Sequence, residues 1–547
     1  MKYLKKTLAV LLVLVMVFAA VACGGTTTDN NNTANNSTDN GGAADTGNSG
    51  SNDANSGGAT GGNTSKKDTL SFTCTVDSGT LDPMQILGYD TGFAMRMVYE
   101  TLWDIDSKGN MVMILATDLT FVEPTIWHIK LREGVFFSNG NPFTAEDALF
   151  SIFRGNTMPG APPFLPELNL EESKVLDEYT IELIFNNYDL SLTAGMASVS
   201  MFYVESFDEE TVPTTPMGTG PYIMTTYVIN SHIYLEARES GYWGDAPAIK
   251  NIHCKVLAED FQRVNALETG TSDISSIPFQ DIEYVESLDG ITVALSDSTY
   301  GTCIYFNLTD NTVFFENPDA RKAIALAIDN QAVADIAYSG YAKISRLPVS
   351  MAHIDWTDDI LDLGVYGIGY DPDLARQYAE SSGLVGQKLK AICSASAADI
   401  AVGELMQSDL QAIGVELEVV TLDAGSIITI AGDPTEFDIF ISLTSAPSMT
   451  IAQNYSAYIQ YMVGGTFLTS PWPGRDRFVE LVTGIMAISD PAELQSRYKE
   501  MTEIHVDALP WYGIVDQQNA NAYNSDLIGY ERMLMGNVNF HKLSWAS

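Results

Sequence analysis

Residues 216–222 read PMGTGPY, and the fold turns on what Gly218-Thr219-Gly220-Pro221 does. A glycine pair can cradle a phosphate, or it can let two stretches of backbone cross. A phosphate loop of the Gly-x-x-x-x-Gly-Lys-Ser/Thr kind needs a lysine at the start of a helix, and no lysine follows Gly220. A dinucleotide fingerprint needs a third glycine and a helix, but Ile223 stands at that position. Pro221 also removes an N–H that an anion would use. The continuation YIMTTYVI (222–229) is β-branched and aromatic and predicts a strand. The segment therefore reads as a chain crossing: the glycines permit the turn, Pro221 stiffens it, and Tyr222 starts a strand.

Working outward, TLSFTCTV (69–76) alternates as a strand and ends in the turn Asp77-Ser78-Gly79-Thr80. The apolar period of GFAMRMVYETLW (92–103) predicts a helix. In WHIKLREGVFFSNGNPFTAEDALFSIFR (127–154) a strand reaches a Ser-Asn-Gly-Asn-Pro turn, and Thr144 with Asp147 forms a capping pair for a helix. TIELIF (180–185) is a further strand; 259–270 is a helix closed by Gly270, and 281–288 is another. TCIYFNL (302–308) leads into a helix over 318–338. Beyond it, KLKAIC, ADIAVGELMQSDLQAIG, VELEVVTL and FDIFISL alternate as βαβ units.

The ends and the composition set the class. Lys2, Lys5 and Lys6 precede an uncharged apolar run, Leu8 to Val21, which reads as a signal peptide over 1–22. Residues 24–67 are Gly, Asn, Thr, Ser, Asp and Ala with almost nothing apolar, a tether that cannot offset its chain entropy by burial. The rest is long enough for two or three domains. A net charge of −42 excludes nucleic acid and anionic membrane as partners of the body. Beside Cys23, the cysteines are Cys74, Cys254, Cys303 and Cys393, in no metal-like spacing; two disulfides or buried thiols both remain open.

The end of the apolar run, Ala20-Val21-Ala22-Cys23-Gly24, resembles a bacterial lipobox, which implies a diacylglycerol on Cys23. The folded part resembles the extracytoplasmic solute-binding proteins of the peptide/nickel ABC-transporter class. The blocks that carry this are LDPMQ (81–85), VYETLWDIDSKGNMVMILATD (98–118), WHIKLREGVFFSNGNPFTAEDALFS (127–151), GTGPY (218–222), GYWGDAPAIKNIHCKVLAEDFQRVNALETGTSDI (241–274), IYFNLTDNTVFFENPDARKAIALAIDNQAV (304–333), YDPDLARQYAESSG (370–383) and ELMQSDLQAIGVELEV (404–419). The resemblance implies an α/β, two-lobed periplasmic-binding-protein-like clamp (type II, cluster C) with an extra inserted domain. Domain I comprises 68–101, 218–300 and 520–547; domain II, an insertion, 102–217; domain III, the second lobe, 301–519.

It also implies function. A solute, foremost a peptide, is trapped between the lobes of a monomer and handed to an ABC permease at the membrane, outside the cell and on a lipid anchor. The alternatives are a non-peptide solute such as an oligosaccharide or metal chelate, or a surface signalling or pheromone receptor. Ligand contacts carried over to this chain are Asp77, Ser78 and Gly79, then Ser442, Leu443, Thr444 and Ser445; Tyr300 and Trp356 are aromatic candidates. Peptide-binding members follow the 437–443 strand with a tryptophan and an aspartate that pairs with the peptide amine. Leu443-Thr444-Ser445-Ala446-Pro447 has neither. The six histidines show no HxxxH or HxH pairing, so no metal or cofactor is expected. Glu171-Glu172 and Asp358-Asp359 read as solvated faces, and no nucleophile elbow or triad motif is present, so no enzyme is expected.

Overall fold

The computed structural model describes residues 67–85, 92, 94–158, 165, 167–444, 449–463, 467–532 and 538–546. The signal segment, Cys23, the tether up to residue 66 and Ser445 lie outside the described residues. The chain runs β1 (Thr69–Cys74), β2 (Trp103–Ile105), β3 (Met111–Met113), β4 (Ala116–Glu123), β5 (Ile126–Leu131), α1 (Ala145–Thr157), β6 (Lys174–Asp177) and β7 (Thr180–Ile184). It continues through β8 (Tyr222–Val228), β9 (His232–Ala237), β10 (Asn251–Val256), α2 (Asp260–Glu268), β11 (Ile274–Ser276), α3 (Ile282–Glu286) and β12 (Ile291–Phe306). Next come α4 (Pro318–Ala327), α5 (Asn330–Ala337), β13 (Lys343–Ile344), α6 (Pro372–Ser382), β14 (Lys388–Ser394), α7 (Ala397–Ala412) and β15 (Glu416–Leu422). The last are β16 (Ile439–Leu443), α8 (Ile451–Val463), α9 (Arg475–Val482), α10 (Pro491–Ala508) and β17 (Trp511–Asn524).

Local chemistry explains the helix starts. Asn317-Pro318, Asp371-Pro372 and Asp490-Pro491 each place a capping side chain before a proline at the first helical turn, where its missing N–H costs nothing. The backbone N–H and hydroxyl of Thr144 both donate to the Asp147 carboxylate (2.9 and 3.0 Å). The helix expected over 318–338 is two helices. Asp329 accepts from Gln331 and Ala332 N–H, both at 3.1 Å, and so starts a new helix where the first ends. Of the helix expected over 92–103, the described residues keep only the start: 92, 94 and 95 are helical and the helix does not continue to Trp103. The described residues there make one turn, and Trp103 already belongs to β2. Carbonyls that would continue a helix are taken instead by the crossing chain: Gly220 N–H donates to Val98 O (2.9 Å) and Tyr222 N–H to Met97 O (3.1 Å).

Eleven strands form one sheet in the order β15-β14-β16-β12-β17-β11-β1-β10-β9-β8, with β13 added to β17; β4-β5-β7-β6 form a separate antiparallel sheet. Apolar side chains gather in two large cores. One holds Phe306, Ile392, Ile441, Tyr458 and Trp511; the other holds Phe72, Trp103, Trp127, Tyr222 and Ile252. Among the described residues, only β12 and β17 carry the sheet from one side to the other. Ile291–Asp297 pairs with Asn524–Gln518 beside β11, whereas Gly301–Phe306 pairs with the start of β17 on one side and with β16 on the other. The register slips between Asp297 and Gly301, a bulge at the passage between lobes.

The lobes also touch away from these strands. Leu190 N–H donates to Met486 O (2.6 Å), and Ile354 packs so closely over Gly109 that a Cβ there would lie 2.5 Å from its Cγ2. Cys74, Cys254, Cys303 and Cys393 are all buried thiols. Cys254 registers with Phe72, so Cys74 is its diagonal neighbour on a parallel strand, and the two thiol sulfurs lie 3.3 Å apart, in contact and not bonded. Cys303 and Cys393 are separated by β16.

Candidate functional site

The passage between lobes is built from short polar residues at the bulge. Thr444 N–H donates to Gly301 O and Gly301 N–H donates to Thr444 Oγ1, both at 2.8 Å. A Cβ on Gly301 would lie 2.8 Å from Val515 O and 3.2 Å from Asp516 Oδ1, so only glycine fits between β16 and β17 here. Tyr300 N–H donates to Ser298 Oγ (3.1 Å), and Ser350 Oγ donates to Ser298 O (3.0 Å). Met351 N–H donates to Asp516 Oδ2 (2.9 Å), while Asp516 Oδ1 has no hydrogen-bond partner among the described residues. Asp516 is 3% exposed, and burial pushes its carboxyl up to about 7 against the lowering influence of Met351 N–H and the neighbouring serines.

Charges flank this point without entering it. Lys343 pairs with Asp297 (2.7 Å), and Gln518 donates to the same carboxylate (3.0 Å). Burial works to raise Asp297, but Lys343 and Gln518 outweigh it and leave the group lowered. Gln517 donates to Thr302 Oγ1 (3.1 Å) and Tyr338 OH (3.2 Å), which are themselves hydrogen-bonded to each other.

The structure brings Tyr300, Ser442, Leu443 and Thr444 together, since β16 pairs Leu443 with Thr302 and Ser442 with Cys303. Trp356 lies on the loop after Met351, half-buried against the core that holds Phe306 and Trp511, its Nε1–H on Asp358 (3.1 Å). The adjacent Asp355 accepts from Ile451 N–H (2.8 Å) and Tyr498 OH (2.6 Å), fixing that loop to the start of α8. Asp77, Ser78 and Gly79 lie apart from this group, at the end of β1. Asp77 accepts from Gly79 N–H (2.9 Å), Tyr227 OH (3.0 Å) and Asn230 N–H (2.7 Å), tying β1 to the β8–β9 turn. The sequence reading missed Gly301, Met351, Lys343, Asp297 and Asp516. Asp516 did carry a signal: it is a lone acid ending the apolar run Trp511–Val515.

The blocks that the sequence analysis singled out build the scaffold. Glu100 accepts from Tyr242 OH (3.0 Å) and Trp243 Nε1–H (2.9 Å), and the Arg132 guanidinium stacks over Trp243 (4.2 Å). Burial pushes Glu100 up to about 7, opposed by these donors and by Arg238. Gly218 and Gly220 press directly on the backbone: added Cβ atoms would fall 2.2 Å from Val98 O and 2.4 Å from Met97 O. Neither has a left-handed φ, so the glycines serve close approach and not the turn expected of them. Asp82 of LDPMQ is buried against Arg154 (2.5 Å), which also reaches Glu209 (2.7 Å). A cavity of about 130 Å³ beside Glu100, Trp243 and His541 is smaller than the several hundred Å³ of a typical ligand pocket. Among the described residues no group of three or more His, Cys, Asp or Glu is placed to hold a metal, and no helix is long and apolar enough to cross a membrane.

This architecture has known counterparts. Residues 110–463 match the model of the bacterial extracellular solute-binding proteins, family 5. The glutathione-binding protein GsiB of Shigella dysenteriae is 22% identical over 480 residues, covering 82% of this chain and 89% of that protein. Among solved structures, the ABC-transporter substrate-binding protein CtaP of Listeria monocytogenes superposes with a TM-score of 0.78 at 18% identity, covering 88% of this chain and all of that one. The oligopeptide-binding protein AppA of Bacillus subtilis, solved with a nonapeptide, gives 0.70 at 16% identity, covering 88% of this chain and 99% of that one.

Proposed function

Because the chain belongs to the bacterial extracellular solute-binding proteins, family 5, we propose that it is the receptor of an ABC importer for peptides. The protein binds its solute between two lobes and does no chemistry on it. One observation carries the mechanism: β12 and β17 alone continue the sheet between two separately packed cores, so relative motion of the lobes concentrates in the bulge at Asp297–Gly301. Tyr300 stands at that bulge at the edge of the first lobe, Ser442, Leu443 and Thr444 face it from the second, and Trp356 is on the loop beside them; these are the proposed solute contacts. Asp77, Ser78 and Gly79 are proposed for the opposite lobe. Peptide is favoured by the relatives, one named for glutathione, a tripeptide, and another solved with a nonapeptide.

The domain division 68–101 with 218–300 and 520–547, 102–217, and 301–519 belongs to the same proposal. It is supported by the separate β4-β5-β7-β6 sheet, which falls wholly inside 102–217. So does the anchor: cleavage before Cys23, acylation of its thiol, and display of the body on a tether as a monomer. The deciding experiment is native mass spectrometry of the purified protein, then a thermal-shift screen with peptides, sugars and metal chelates. Peptide-dependent stabilisation is expected. Co-purification of a sugar with no response to any peptide would sink the peptide reading. Replacement of Cys23 by Ala should release the protein from the membrane fraction; retention there would refute the anchor.

A further inference from the structure

We infer that residues 350–355 are a strap that couples the hinge bulge to a latch on the inserted domain, in which Ile354 and Met449 of the second lobe close over the β2–β3 turn. The inference rests on the two-lobed reading and names what holds the lobes shut, whatever the solute.

The latch shows in where Met449 is buried. In the chain it lies between β16 and α8, and Ile451, two residues on, sits in the core that holds Phe306 and Trp511. Met449 itself, 5% exposed, belongs to the other core, with Phe72 and Trp103. Among the described residues it is the only one from 301–519 buried there. An apolar side chain that crosses from one lobe into the core of the other returns to water when the lobes part, so its burial favours closure. The Met449 carbonyl accepts from Ile354 N–H (3.0 Å), which makes the two residues move together. Ile354 is half-exposed, and its covered part meets Gly109, where a Cβ would lie 2.5 Å from its Cγ2. The seat it presses on is stiff. Asp106 Oδ1 accepts from the N–H groups of Lys108 (2.9 Å) and Asn110 (2.7 Å), and Gly109 N–H donates to Asp106 O (3.1 Å).

The strap ties this latch to the hinge. At one end Ser350 Oγ donates to Ser298 O (3.0 Å), inside the Asp297–Gly301 bulge, and Met351 N–H donates to Asp516 Oδ2 (2.9 Å) on β17. At the other end Asp355 accepts from Ile451 N–H and Tyr498 OH, and Gln495 Nε2–H donates to Asp355 O (2.7 Å). Between the two, buried His353 turns the chain back, its N–H donating to Ser350 O (3.2 Å), which leaves the segment without slack. A change of twist at the bulge is therefore carried to Ile354 and Met449. Trp356 follows directly and places a proposed solute contact on the same segment.

The test needs no solute. The full-length protein is treated with dilute hydrogen peroxide, which gives one oxygen atom to a methionine sulfur and leaves water, and the sulfoxide at each methionine is followed in time by peptide mass mapping. In wild type Met449 should oxidise about tenfold or more slowly than free methionine in the same tube, yet faster than the wholly buried Met406 and Met501 of the second lobe. Ile354→Asp sets a carboxylate against the β2–β3 turn and should speed oxidation of Met449 by about fivefold or more, with Met406 and Met501 unchanged. Ser350→Ala, which frees the strap at the bulge alone, should speed it by a smaller factor. Ile336→Asp, an equal charge at an exposed position on α5, should not. Oxidation of wild-type Met449 as fast as free methionine overturns the latch, as does a wild-type rate in Ile354→Asp or an equal rise in Ile336→Asp. A rise in Ile354→Asp with none in Ser350→Ala overturns the coupling to the hinge. If Ile354→Asp loses its fold, shown by oxidation of Met406 and Met501, Ile354→Ala takes its place under the same outcomes. Since no solute enters the test, failure here leaves the peptide reading standing, and failure of the peptide screen leaves the latch standing.

Discussion

Thr444 and Gly301 exchange two hydrogen bonds of 2.8 Å, each using its own N–H, across the point where the sheet passes between lobes. The Thr444 hydroxyl is therefore the acceptor for a buried backbone N–H. Thr444→Val keeps the shape and removes the acceptor, leaving Gly301 N–H unpaired. The expected loss is about 1–3 kcal/mol in urea unfolding, with Thr444→Ser close to wild type. Equal stability of the Val and Ser variants would show that the clasp does not matter.

Gly218→Ala should be among the most damaging single substitutions in the chain. Its methyl would fall 2.2 Å from Val98 O, a backbone atom held by Gly220 N–H and unable to move aside. A cost of about 3 kcal/mol or more is expected in chemical denaturation. Gly79→Ala supplies the contrast: open space surrounds it, and only its φ of +71° resists a side chain, for about 1 kcal/mol.

Asp82 and Glu209 hold the same Arg154 from unequal environments. Asp82 is fully buried, whereas the Glu209 side chain is 57% exposed. Asp82→Ala leaves a buried guanidinium short of its partner and should cost about 3–5 kcal/mol. Glu209→Ala should cost under about 1 kcal/mol, as exposed pairs do. Thermal melts of the two variants check the order.

Asp516 and Glu100 make stability fall as pH rises. Each is raised by burial to about 7 in the folded chain, from ordinary values of 3.8 and 4.5. Below about pH 4 both are protonated in the folded and unfolded chain alike, and neither costs anything. Between about pH 4 and 7 the unfolded chain loses these protons first, so unfolding is progressively favoured until the folded groups ionise too. For Asp516 alone the change is on the order of 2–4 kcal/mol. Urea unfolding of the solute-free protein at pH 4, 6 and 8 should show it, and Asp516→Asn should flatten the profile. A variant whose pH profile parallels wild type would show that Asp516 is not the group responsible.

Much of the architecture was legible because local chemistry specified it. Cap-proline pairs marked helix starts, the β-branched run after Pro221 marked β8, and the resemblance rested on blocks that surround Glu100. The passage between lobes was not legible. Its strand was expected from Thr302, yet it starts at Ile291: Ile291, Val293 and Leu295 do alternate, but this half is only half-buried and the polar run Ser296–Thr299 interrupts the apolar pattern before the buried half begins. The segment 92–103 shows the opposite failure: its apolar spacing comes from burial on all sides of a crossing, which imitates a helix. Of the candidate contacts, those at the end of β16 could be placed by family pattern. Asp516 could not, since what encloses it is the close approach of Gly301, more than two hundred residues earlier.

The place of β17 in the chain has a consequence for biogenesis. Ten of the strands in the large sheet precede it, yet β12 meets β11 only through residues 511–524. During synthesis the two halves of the sheet therefore wait for residues 511–524, and their pairing is long-range. A chain built this way keeps its two half-sheets separate until its last long strand arrives to join them.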